Sequence, residues 1–261
     1  MEDLGNLLDV CNVLRESISE IKKHNMSVQI ALHGLLHAHA HDHMMNNKVM
    51  KAKNSLSSSM DELKKNKEME SKLEKCMSTL KRMADSVHST AATATSLGGS
   101  GVEETIKEAK AITIFACSAL VTALSFNTPC RSFKRIAGFL NKKKNKISPV
   151  PLPPLTDIDT MINMMQRKRS ASLKPLLHEL NRADITVGNL SNVVDRYIMN
   201  KTSKVSSEVQ DEVKDSIDAV NMSTTELESA LTDIDNRIND LFRFLISSRV
   251  ALLNTLTTLS S

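Results

Sequence analysis

Apolar residues recur along the first part of the chain with the spacing of one helix face. Two series with a period of seven residues alternate there: Leu4, Cys11, Ile18, Asn25 and Leu32, and Leu7, Leu14, Ile21, Val28 and Leu35. This three-four alternation predicts a long amphipathic helix. Asn25 is the polar member of the first series. A buried Asn in such a seam fixes the register of packing, whereas an Asn that reaches water does not, and the pattern leaves both open.

A matching pattern occupies the last part of the chain, where Ser207 and Gln210 have the spacing of a capping box. The two series that follow are Val213, Val220, Leu227, Ile234 and Leu241, and Ile217, Thr224, Leu231, Ile238 and Leu245. They predict a second long helix. Because other apolar helices are available in the same chain, we expect an all-α, elongated antiparallel bundle with long coiled-coil-like helices, formed within a monomer rather than by a dimer.

The middle of the chain predicts shorter elements. Helices are expected over 48–87 and 102–126, with a small and polar linker over 89–101 between them. A further helical part restarts near Leu155, and Pro175 and Gly188 are expected to kink or split it. The predicted organisation is an N-terminal helical segment over 1–130, a basic and Pro-rich linker over 131–154, and a C-terminal segment over 155–261 that packs with the first as one bundle.

Composition excludes an all-β fold, since seven glycines and six prolines are too few for its many tight turns, and a core with 3% aromatic residues suits helices instead. The net charge of +4 comes from one place. Seven cations and no acid lie between Arg131 and Lys146, and without them 27 basic residues face 30 acidic ones. The four cysteines, Cys11, Cys76, Cys117 and Cys130, are too widely spaced for a disulfide scaffold or a zinc finger. With an acidic N-terminus and no targeting peptide in view, we expect a cytoplasmic protein.

Two segments have residue patterns that are typical of binding sites, one for metal ions and one for membranes. His33, His37 and His41 follow one another at four-residue intervals, with His39 and His43 on another face, and such a cluster binds transition metals with modest affinity. Short His tracts are more often solvated, and no carboxylate or thiol set accompanies this one, so no metal site or cofactor is assigned. The stretch 111–126 has no charged residue and precedes the basic run. It predicts a central bundle helix, with peripheral membrane contact through 111–146 as the alternative.

Other chemistry is weakly indicated. The basic run has no aromatic or recognition-helix companions, so no nucleic acid is expected as a partner. Arg167 and Arg169 precede Ser170 and Ser172 by three residues, a spacing that basic-directed kinases read. Glycine loops that cradle phosphates, nucleophile elbows and metal-ligand sets are missing from the sequence, and no catalytic residue is assigned. We therefore expect a protein that is not an enzyme.

Four strings carry a resemblance to a known family: NLLDVCN at 6–12, SVQIALHGL at 27–35, SALVTALS at 118–125 and LFRFLISSRVALLNTL at 241–256. Together they resemble the plant BYPASS (BPS-like) proteins, which are related to the ROH group. The resemblance implies a non-enzymatic land-plant protein that regulates root and shoot development by restraining a root-derived mobile signal, through contacts with other proteins. Through the ROH relatives it also implies the alternative of a membrane-associated adaptor of the exocytic machinery. The family has a region before its LLDVCN helix, where this sequence begins, so the resemblance does not decide whether plastid targeting carries over.

Overall fold

The computed structural model describes residues 2–40, 45–94, 101–125, 177–200 and 207–260. Six α-helices make up nearly all of this described part. They are α1 (Glu2–Ala40), α2 (Met45–Lys64), α3 (Lys67–Ala94), α4 (Gly101–Leu124), α5 (His178–Asn200) and α6 (Ser207–Ser260). These residues contain no strand, which confirms the predicted all-α class.

The two long stripes predicted from the sequence are the buried faces of α1 and α6. In α1 every member of both series is buried except Leu4, which is partly buried. In α6 Ile234 and Leu241 are partly buried, and the other eight positions are buried. The period of seven holds these side chains on one side of each helix over many turns, so burial along the whole stripe follows from the spacing.

Between the long helices the structure differs from the prediction in its boundaries. The expected helix over 48–87 is two helices, because α2 ends at Lys64 and α3 begins at Lys67. The Asn66 N–H donates to the Leu63 carbonyl at 3.3 Å, a tight turn that closes α2. Asn66 then precedes α3, whose first turn holds Glu68 and Glu70, and both Asn before a helix and acids in its first turn favour a helix start.

Part of one expected interruption and the whole of another are helical instead. The helix α3 continues to Ala94 and α4 begins at Gly101, so residues 89–94 of the predicted linker are helical, while residues 95–100 lie outside the described residues. Gly188 lies inside α5 without a break. It is exposed, and a Cβ there meets nothing within 4 Å, so its cost is limited to about 1 kcal/mol of helix propensity. The buried Val187 and Leu190 beside it outweigh that cost. Pro175 and the linker over 131–154 lie outside the described residues.

The chain divides into two compact units. Unit 1 contains α1 up to Arg15, α3 from Glu68, α4, and α6 from Ile238. Its buried side chains are mostly aliphatic and thioether groups, such as Leu14, Leu73, Met83 and Ile114. Because the sequence has few aromatic residues, Leu, Ile and Met side chains fill the space between the helices of this unit.

Unit 2 contains α1 from Glu16, α2, α5, and α6 up to Arg237. Its core joins all four helices through residues such as Leu35, Leu56, Leu190 and Val220. Ion pairs border this core: Lys64 contacts Asp184 at 2.5 Å, between α2 and α5, and Arg182 contacts Glu226 at 2.6 Å, between α5 and α6.

Asn25 is buried in unit 2, with 5% of its surface exposed, and its Nδ2 donates to the main-chain carbonyl of Thr224 on α6 at 3.0 Å. Of the two alternatives left open by the sequence, the structure therefore shows the buried one. Because the amide has one partner at one level of α6, it favours a single alignment of the two helices.

Candidate functional site

A polar groove of about 740 Å³ lies between α1 and α2 in unit 2. It is open to solvent. Its lining comes from Lys23, His24 and Ser27 of α1 and from Met50, Lys51, Asn54, Ser55, Ser58, Ser59 and Glu62 of α2. We refer to these ten residues as the polar groove.

The α1 wall of the polar groove carries a cation at its rim and an imidazole near its floor. The Lys23 side chain is 72% exposed, and its Nζ lies 3.7 Å from a Glu20 carboxylate oxygen. The His24 side chain is 12% exposed, with Nε2 4.0 Å from the same carboxylate oxygen. Ser27 donates to the Lys23 carbonyl at 3.1 Å, so its hydroxyl is held against its own helix.

The α2 wall follows the three-four spacing of a helix face, since Lys51, Asn54, Ser55, Ser58 and Glu62 succeed one another at intervals of three, one, three and four residues. Ser58 donates to Glu62 Oε1 at 2.8 Å. Residues three and four apart stand side by side on a helix, so this wall presents a row of amide and hydroxyl groups with a lysine at one end and a carboxylate at the other.

A hydrogen bond between α1 and α2 lies at the floor of the polar groove. Ser59 is buried, and its hydroxyl donates to the main-chain carbonyl of His24 at 3.1 Å, with His24 Nδ1 at 3.5 Å. Ser59, His24 and Glu20 thus stand in the order of a hydrolase triad. The hydroxyl, however, points its proton at a carbonyl and is buried, and Glu20 contacts His24 only at 4.0 Å. We assign Ser59 to helix pairing and not to nucleophilic chemistry.

Unit 1 contains a separate cluster of buried thiols. Cys11, Cys76 and Cys117 are reduced and come from α1, α3 and α4. The thiols of Cys11 and Cys117 hydrogen-bond to each other; this bond lowers the pKa of Cys11, and together with burial it raises the pKa of Cys117 far above the ordinary range. Cys76 lines a cleft of about 200 Å³ on the same unit, beside Lys72 and Lys75. Cys130 lies outside the described residues.

Unit 1 also buries a carboxylate. Glu70 is 6% exposed and accepts a hydrogen bond from the Ser125 hydroxyl at 2.8 Å. This contact joins the first turn of α3 to the residue that follows α4. It links the packing of these two helices, and the hydrogen bond offsets part of the cost of burying the polar side chain.

The histidines singled out in the sequence are only partly within the described structure. His33 and His37 are exposed residues of α1. The side chain of His39 and all of His41 and His43 lie outside what the structure describes. Among the described residues no group of three or more His, Cys, Asp or Glu side chains is placed to hold a metal ion.

The charge-free stretch belongs to the interior of unit 1 as far as it is described. Ile114, Cys117, Val121 and Leu124 are buried, while Ile112 is exposed. None of the helices that the structure describes is long and apolar enough to cross a membrane. Residues 126–146, which carry the basic run, and the two serines Ser170 and Ser172 lie outside the described residues.

No site residue is predicted from the sequence, and the polar groove is not among the predicted features. One available signal is the serine-rich segment SLSSS over 55–59, although serine also has a weak helix propensity. With Lys51, Asn54 and Glu62 at helical spacing, that run marks a polar face of α2. What the sequence does not show is that Lys23 and His24 of α1 lie opposite this face.

Comparison with known proteins gives one family. The family model described as Protein BPS1 matches residues 1–200 and 189–255 of this chain. A search of curated proteins found no match, and a search of solved structures found none. Since the family match covers nearly the whole sequence, as the resemblance of its four strings predicts, the chain belongs to the BYPASS family.

Proposed function

We propose that this protein is a non-catalytic regulator of root and shoot development that restrains a root-derived mobile signal by binding other proteins. Membership of the BYPASS family supports the developmental role, and this family is not a known enzyme family. We place the protein in the cytoplasm as a monomer. Nucleic acid, metal and cofactor have no part in the proposal.

The observation that carries the protein-binding role is the polar groove. Sites for small molecules are mostly apolar and enclosed, because they must bury most of the ligand surface. This groove is open and lined by lysine, serine, asparagine and histidine side chains on two helices that the Ser59 hydroxyl ties together. It suits a peptide segment that offers many hydrogen bonds along its length.

Charge indicates the chemistry of that segment. Lys23 and Lys51 stand on opposite walls of the polar groove, and Glu62 is its one lining carboxylate. A partner segment with Asp or Glu side chains meets complementary charge on both walls, which favours its association and its correct register. We therefore propose an acidic, hydroxyl-rich peptide segment as the bound element.

The test is charge reversal in the polar groove. The double variant Lys23→Glu/Lys51→Glu is compared with Lys65→Glu/Lys214→Glu, a matched control of two exposed lysines in the same unit outside the groove. Tagged wild-type protein and both variants are expressed in roots, and captured proteins are quantified by mass spectrometry. Proteins recovered with the wild type are then tested for direct binding in purified form.

We expect a partner that binds the wild type and the control with equal affinity and the groove variant at least about tenfold more weakly, with the circular dichroism spectra of all three unchanged. Restoration of normal shoot growth in plants lacking this protein should follow the same order. Equal binding by all three proteins, or restoration by the groove variant, contradicts the proposal.

A further inference from the structure

The last part of α6, within unit 1, exposes an apolar face. Phe242 is partly buried, while Ile246, Val250 and Leu253 are 41%, 49% and 44% exposed. Their spacing of four, four and three residues places all four on one side of the helix. Three exposed aliphatic side chains that follow one another on one face form a contiguous apolar patch, which is one feature of interaction sites. We call these four residues the α6 apolar face.

Arginines border this face on both sides. With 100° between successive residues, Arg243 falls at the edge next to Val250, and Arg249 falls at the opposite edge. Both are exposed. The Arg15 guanidinium lies 5.8 Å from the centre of the Phe242 ring, so a third cation stands at the beginning of the face. The sequence has no Asp or Glu after Asp240. The surroundings of the α6 apolar face on its own helix are therefore basic or neutral.

We propose that the α6 apolar face docks on an anionic lipid bilayer, with the helix lying parallel to the membrane surface. Aliphatic side chains enter the boundary between headgroups and acyl chains, and the bordering arginines contact lipid phosphates at the level of the interface. A face of three to four side chains contacts too little area for a stable protein partner, whereas a bilayer also supplies the complementary charge.

This inference does not rest on the polar groove, which belongs to unit 2. It also differs from the membrane contact through 111–146 considered from the sequence, because Ile114, Cys117, Val121 and Leu124 are buried in unit 1.

Flotation of the purified full chain with lipid vesicles tests the proposal. Vesicles are made of phosphatidylcholine alone or with about 30% phosphatidylserine, at low and high salt. One variant, Ile246→Asp/Val250→Asp, puts charge on the face. A second, Arg243→Gln/Arg249→Gln, removes its border cations. The matched control Ile30→Asp/Met222→Asp changes two exposed apolar residues of unit 2.

We expect the wild type and the control to float with the anionic vesicles, less at high salt, and to stay at the bottom with phosphatidylcholine alone. The Asp variant should not float. The Gln variant should lose about 25-fold in partitioning, since each of the two cations near an anionic surface contributes about a factor of five. Circular dichroism checks that the variants keep the helical fold.

Three outcomes overturn the inference. The first is a wild type that stays at the bottom with anionic vesicles. The second is flotation that the control loses as fully as the Asp variant. The third is a change in oligomeric state without a change in flotation: the wild type elutes as a dimer in gel filtration and the Asp variant as a monomer, yet both float equally. A second copy of the chain, and not a membrane, then covers the α6 apolar face.

Discussion

Replacing Asn25 by aspartate tests whether the buried amide controls the packing of α1 on α6. The substitution keeps the size and shape of the side chain but turns the Nδ2 donor into a second oxygen. In the native protein Nδ2 donates to the Thr224 carbonyl at 3.0 Å, and Asn25 is 5% exposed. In the variant, a carboxylate oxygen faces a carbonyl oxygen inside unit 2, with no proton between them.

The magnitude follows from these contacts. Loss of the hydrogen bond costs about 1 kcal/mol, and burial of an unpaired carboxylate adds several, so we expect the free energy of unfolding to fall by about 3–5 kcal/mol at pH 7. Asn25→Ala should cost about 1–2 kcal/mol, because it removes the bond and leaves a small cavity but buries no charge.

Acid should partly rescue the aspartate variant. Burial raises the pKa of the introduced carboxyl above the ordinary value of about 3.9, so the folded chain binds its proton at a higher pH than the unfolded chain. The free energy of unfolding of Asn25→Asp, relative to wild type, should therefore rise by up to about 1.4 kcal/mol per pH unit as the pH falls toward 3.9. The protonated carboxyl is again able to donate to the Thr224 carbonyl.

Urea unfolding followed by circular dichroism at pH 7 and at lower pH measures these differences. Asn192→Asp, at an exposed position of α5, is the matched control and should change stability by less than about 0.5 kcal/mol at either pH. An Asn25→Asp variant that costs no more than Asn25→Ala, or whose deficit does not shrink in acid, refutes the view that the amide is buried against Thr224.

Two further predictions concern unit 1. Leu73 is fully buried in α3, so Leu73→Ala should lower the free energy of unfolding, measured by urea titration, by about 2–5 kcal/mol. Ile106 is exposed on α4, and Ile106→Ala should lower it by less than about 0.5 kcal/mol. Equal costs for the two variants would contradict the burial of α3. The raised pKa of Cys117 predicts a loss of stability at alkaline pH. Above the ordinary thiol pKa of about 8.5, the Cys117 thiol loses its proton in the unfolded chain and keeps it in the folded chain. The free energy of unfolding should therefore fall by up to about 1.4 kcal/mol per pH unit as the pH rises. The lowered pKa of Cys11 adds no such loss. Cys117→Ala alone also removes the hydrogen bond that lowers the pKa of Cys11, so the double variant Cys11→Ala/Cys117→Ala is the one that should remove the slope, measured as the difference from wild type.

The sequence alone determined the helical class and the buried faces of the two long helices. Positions such as Leu14 and Leu231 are buried because a period of seven keeps one side of a helix apolar, whatever packs against it. The four family strings likewise lie in the sequence itself, and the family match agrees with them.

Helix boundaries were harder to predict from the sequence, because they depend on differences of about 1 kcal/mol between helix propensity, capping and burial. Gly188 stays helical since the burial of Val187 and Leu190 outweighs its propensity, and the break between Lys64 and Lys67 occurs where one tight turn and a favourable helix start coincide. Sequence patterns identify such residues, but they do not show whether tertiary burial contributes more free energy than the local helix propensity.

Only the tertiary structure decided which distant side chains meet. Asn25 and Thr224 are 199 residues apart, and the thiols of Cys11 and Cys117 come from different helices. The polar groove likewise needs Lys23 and His24 of α1 to face the serines of α2. Periodicity fixes the face that a helix buries, but not which helix covers that face or at what level along it. Those choices depend on side-chain packing and hydrogen bonds between segments far apart in the chain.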